Sequence, residues 1–109
     1  MKLNSTLQVL SEVDLRESKR LLVHFWAAWN GHDSKMLEIL SEFQHIFPDV
    51  IFRAVNVDDS DKWPELNLWN VTAVPALGFF EFGIIKKMVN NITEIKEVER
   101  EFQIWKIQI

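Results

Sequence analysis

The stretch VHFWAAWNGHDSKM, residues 23–36, carries the chain from an apolar run into an amphipathic helix. From Leu21 to Ala27 every residue but His24 is apolar, and the composition is β-rich. A central strand covered on both faces has that pattern. Downstream, Met36, Leu40, Phe43 and Phe47 recur at helical spacing, and Leu37, Ile39 and Ile46 widen the stripe. Lys35, Glu38, Glu42 and His45 form the solvated side. Asn30 stands where the helix should begin and is among the best N-caps, worth about 1 kcal/mol. Asp33, three residues on, supplies the acidic partner of a capping box and suits the positive helix end.

Working outward, STLQVL (5–10) reads as a short strand, and Ser11 caps a short polar helix whose apolar residues are Val13 and Leu15. Pro48 stops the long helix, and Asp49 turns the chain into VIFRAVNV (50–57), a second buried strand. This β-α-β unit favours a right-handed crossover and parallel pairing. DDSDKWPELNLWN (58–70) predicts a short helix, with Pro64 near its first turn and Asn70 as a left-handed terminator. ALGFFEF (76–82), Gly83 and IIKKMV (84–89) predict an antiparallel hairpin. Asn91 with Glu94 three residues on predicts a capping box that opens the last helix. Its apolar face would be Ile95, Val98, Phe102 and Trp105, with Glu97, Arg100 and Glu101 in solvent.

The chain has 109 residues, one domain spanning 1–109, and its net charge of −4 shows no basic run. Phosphate backbones are held by clustered Lys and Arg, so nucleic acid is excluded as a partner. MKLNSTLQVLSEVDL (1–15) has no apolar core of a signal peptide, and nothing approaches the roughly 18 apolar residues of a membrane span. A cytoplasmic location, with nuclear entry left open, is the expectation, and no membrane partner is expected. The count of zero cysteines removes disulfides, thiolate nucleophiles, iron–sulfur ligation and cysteine zinc sites together. His24, His32 and His45 lack metal-ligand spacing, so neither a metal nor a cofactor is expected.

The predicted order, β-α-β-α-β-α-β-β-α with a proline just before the hairpin, resembles the thioredoxin family over nearly the whole chain. VHFWAAWNGHDSKM is similar to that family's strand-to-helix stretch ending Trp-Cys-Gly-Pro-Cys-Lys-Met, matching at Trp26, Trp29, Gly31, Lys35 and Met36. VTAVPAL (71–77) is similar to its cis-proline loop, with Pro75 as the proline. The resemblance implies an α/β thioredoxin fold, a central mixed β-sheet flanked by helices. Among relatives, VHFWAAW and AVPA most resemble the N-terminal thioredoxin-like domain of multidomain monothiol glutaredoxins, the PICOT group.

The departures decide the chemistry. The family's attacking cysteine falls on Asn30, its proline on His32, its resolving cysteine on Asp33 and its buried acid on His24. Exchange needs a thiolate attacking sulfur, which neither an amide nor a carboxylate replaces. Ser34 has only His32 and Asp33 beside it in sequence, which makes no triad. The expectation is therefore a chain that is not an enzyme.

Two readings of the degenerate loop, Trp29 to Asp33, stay open. In one, Asn30 and Asp33 only cap the helix; in the other, Asn30, His32 and Asp33 form a polar recognition surface. His24 is either a satisfied core residue or the partner of Asp33 beneath the loop. His45 is read as inert. The resemblance further implies a groove formed by Trp29, His32, Val74 and Pro75, where Val74's main chain pairs with an extended peptide as a sheet edge does.

The leading expectation is a redox-inactive interaction or regulatory module that binds a protein or an extended peptide, a targeting domain in iron–sulfur and iron homeostasis. The Cys-Gly-Phe-Ser motif of the glutaredoxin domains is absent, so this chain should hold neither cluster nor glutathione. The alternative is a cysteine-free peptide-binding or chaperone-like domain, as in the non-catalytic domains of protein disulfide isomerases. A phosducin-like folding cofactor, suggested by FPDV (47–50), is a variant of it. The sequence sets no oligomeric state.

Overall fold

The computed structural model describes residues 7–27, 32–59 and 62–107. At its centre lies β2 (Leu21–Trp26), whose first five residues are all buried. Its side chains alternate between two cores, as a pleated strand requires. Leu22 and Trp26 face one, while Leu21, Val23 and Phe25 face the other. Continuous burial of both faces is why no polar alternation marks this strand.

Among the described residues five strands form one mixed sheet in the order β1-β3-β2-β4-β5. The first, β1 (Gln8–Val9), and β3 (Ile51–Asn56) run parallel to each other, and β3 runs parallel to β2. Then β4 (Ala76–Glu81) lies antiparallel to β2, and β5 (Ile84–Val89) antiparallel to β4. The parallel step and the hairpin both agree with the sequence reading. Phe82 and Gly83 make the two-residue turn with φ of 50° and 81°, the left-handed pair that matches the twist of a hairpin.

Helices cover both faces of the sheet. The first, α1 (Glu12–Glu17), is capped by Ser11 in a full capping box with Asp14. On the other face, α2 (His32–Ile46) and α3 (Ile95–Ile107) bury Met36, Leu40, Val98, Phe102 and Trp105 against Leu22, Phe52, Leu77 and Phe79. The second core joins Leu21, Val23, Phe25 and Phe80 to Trp63 and Trp69.

Four expectations are corrected. Among its described residues the segment 58–70 forms no α-helix; short 3₁₀ turns lie at Val57–Asp59 and Pro64–Leu66, although Asn70 is left-handed as expected, with φ 64°. Asn91 does not cap α3. It is left-handed itself, with φ 55°, and the first helical carbonyl is that of Glu94, which accepts from Val98 N at 3.2 Å. Ile46 and Ile95 are exposed rather than packed. Glu101 is buried, because Lys87 on β5 and Arg100 both pair with it.

Candidate functional site: the cleft beside the Val74–Pro75 loop

The site lies beyond the C-terminal end of β2 and before the start of β4. Strand β2 delivers Trp26, partly buried, and Ala27, fully buried, and α2 opens at His32. Trp29, Asn30 and Gly31 fall outside the described residues, as do the side chains of His32 and Asp33. The two readings of the Asn30–Asp33 loop, and a His24–Asp33 pair, therefore concern groups outside the description. His24 itself is buried, 1% exposed, and shares its strand parity with Leu22 and Trp26. It sits opposite Ala54 on β3 and Leu77 on β4, on the sheet face that α2 covers. His45 lies exposed on α2.

The Val74–Pro75 bond is cis, as the resemblance to the family implied. Residues 71–74 form one wall of a cleft of about 490 Å³. Val57, Trp63, Pro64, Leu66 and Asn67 form the other. Trp63 is 4% exposed and anchors the floor, its ring 5.9 Å from that of Trp69. Val57, Trp63, Pro64, Leu66, Val71 and Val74 give the cleft a largely apolar lining, with Asn67 and Thr72 as its polar members.

Two residues that the sequence reading passed over hold this wall. Asn90 Oδ1 accepts from Thr72 N at 2.8 Å and Ala73 N at 3.2 Å, and its Nδ2 donates to Asn70 O at 2.9 Å. Ile92, fully buried, donates its N–H to Pro75 O at 2.9 Å. Their signal in the sequence is the Asn90–Asn91 doublet that follows β5, in which Asn91 resembles a helix cap and Asn90 stands beside it.

Among the described residues no cluster of three or more His, Asp or Glu is placed to hold a metal ion. No described helix is long and apolar enough to cross a membrane.

The family model described as Thioredoxin matches residues 6–103. This chain belongs to the thioredoxin family. The thioredoxin of Mycoplasma genitalium is 33% identical over 82 residues, 75% of this chain and 78% of that protein. The mitochondrial thioredoxin O2 of Arabidopsis thaliana is 29% identical over 73 residues, 67% of this chain. The match spans about half of that relative, 46% of its length. Oxidised mitochondrial thioredoxin 3 from Saccharomyces cerevisiae superposes with a TM-score of 0.77 at 21% identity, covering 92% of this chain and 96% of that one. That likeness shows the thioredoxin fold. Its relatives are named thioredoxins, yet this thioredoxin-family chain has no cysteine.

Proposed function

We propose that this chain is a redox-inactive thioredoxin-fold interaction module that binds an extended segment of a partner protein along the Val74–Pro75 cleft. The observation that carries the reading is the absence of every cysteine from a chain that keeps the family's fold and its cis-proline loop. Thiol–disulfide exchange has no nucleophile here, whereas a peptide trough depends on shape and apolar lining, which do not involve sulfur. Trp29 and His32 would border the same groove from the degenerate loop.

Within this reading the module is regulatory or targeting. The likeness of VHFWAAW and AVPA to the N-terminal domain of monothiol glutaredoxins supports a place beside glutaredoxin domains in iron–sulfur handling. A cytoplasmic, reducing setting suits a cysteine-free chain.

Insulin-disulfide reduction driven by dithiothreitol tests the redox half of the proposal. The wild-type chain should match the protein-free blank, and the double variant Asn30→Cys, Asp33→Cys should exceed it. Wild-type turnover clearly above the blank would refute an inert module.

A further inference from the structure

We infer that Asn90 is the positioning residue of this recognition cleft: its one side-chain amide holds the wall that a peptide would meet, without itself lining the cleft. The inference rests on the proposed reading of that cleft. Residues 70–75 lie between the second 3₁₀ turn and β4, in neither a helix nor a strand, so no ladder supplies partners for their main-chain groups. Asn90 supplies the missing partners from across the molecule, 17 to 20 residues away in sequence. Its Oδ1 takes the N–H groups of Thr72 and Ala73, two successive residues of the wall, and its Nδ2 returns a bond to the Asn70 carbonyl.

The geometry is specific to a carboxamide, because it requires one atom with two acceptor sites and a second atom that donates. A carboxylate offers the acceptor but sets an oxygen against the Asn70 carbonyl. A hydroxyl is too short to serve both ends. An apolar side chain would leave three main-chain groups to water or to themselves. Asn91 N to Ala73 O, at 3.4 Å, and Ile92 N to Pro75 O, at 2.9 Å, continue the attachment along the β5–α3 junction. The wall of the cleft is therefore held by the junction 90–92 together with Val71 N to Leu66 O at 3.1 Å, and Asn90 contributes side-chain bonds to it. Thr72, Ala73 and Val74 all line the cleft while Asn90 does not, so a change at Asn90 should alter binding by moving the wall.

The test compares wild type, Asn90→Ala and Asn90→Asp as full chains, reading amide hydrogen exchange by NMR and binding of a linear peptide selected on the wild type from a random display library. In Asn90→Ala, exchange at Thr72 and Ala73 should rise by about tenfold or more, while Val23 and Phe25 in the core strand stay as in wild type. Asn90→Asp, which keeps the acceptor, should restore protection at those two amides. The selected peptide should bind Asn90→Ala at least about threefold more weakly and Asn90→Asp between the two, a graded response that a general loss of stability would not produce. Unchanged exchange at Thr72 and Ala73 in Asn90→Ala overturns the positioning role, as does unchanged peptide affinity. A library that yields no wild-type binder contradicts the peptide-binding reading itself and removes the recognition role of Asn90 with it, even where the exchange result confirms the hydrogen bonds.

Discussion

Arg53 on β3 donates through Nε to Asp14 Oδ2 at 2.9 Å, and that same oxygen accepts the N–H of Ser11 at the head of α1. One carboxylate therefore both completes the capping box and fastens α1 to β3, a strand flanked by β1 and β2. Both side chains are largely withdrawn from water, 18% and 21% exposed.

Burial alone would raise the Asp14 pKa, but the hydrogen bonds from Arg53 and Ser11 outweigh it and hold the carboxyl below its ordinary value. A depressed carboxyl adds stability that is present above the unfolded value, about 3.9, and lost as pH falls through the folded value. Asp14→Asn should therefore cost about 1–3 kcal/mol at neutral pH. Its deficit against wild type should shrink as pH drops below about 4. Urea unfolding at pH 7 and pH 3 checks this; an equal deficit at both contradicts it.

Gly78 is a packing requirement in the middle of β4. A Cβ there would lie 2.8 Å from the Phe80 ring, 3.0 Å from the Phe25 ring and 3.1 Å from Met88 Cε. Both rings are fully buried. Gly78→Ala is expected to destabilise by about 1–3 kcal/mol through overpacking, read from the shift in the urea midpoint with an unchanged slope.

Positions on α3 should separate by burial, not by hydrophobicity. Trp105 is 3% exposed, stacks edge-on to Phe79 at 5.0 Å and donates from Nε1 to Glu81 Oε2 at 2.9 Å. Trp105→Ala should cost about 3–5 kcal/mol. Ile95 is 45% exposed, and Ile95→Ser should stay within about 0.5 kcal/mol of wild type. A large loss at Ile95 would show that the start of α3 packs against something else.

The long periodic elements were legible because many residues voted for each of them. Strand β2, helix α2 and the hairpin each combine a recurrent apolar pattern with turn or capping residues at their ends. The segment 58–70 was not legible, and the reason is geometric. Trp63 and Trp69 are both buried in the same core, yet six residues apart on an α-helix they would point about 120° from one another. The chain breaks into 3₁₀ turns so that both rings can face inward.

Asn91 misled for a related reason. Asn followed by Glu three residues on is a cap signal, but Asn also tolerates the left-handed region. Here that turn swings Ile92 into the core and onto the Pro75 carbonyl. Ile46 is the last residue of α2 and Ile95 the first of α3, and both are exposed. Within the site, Val74 and Pro75 were legible from VTAVPAL, and the cis bond is present. The clamp by Asn90 was not, because it joins residues that only the folded sheet brings together.

Recognition of a peptide at the Val74–Pro75 cleft is tested most directly by amide shift mapping. The labelled chain would be titrated with the linear peptide selected on it. Shifts should concentrate at Val57, Leu66 and residues 71–74, which line the cleft, and at Trp29 and His32, which the proposed function assigns to the same groove. Shifts confined to the outer face of α3, around Glu97 and Arg100, would contradict the account.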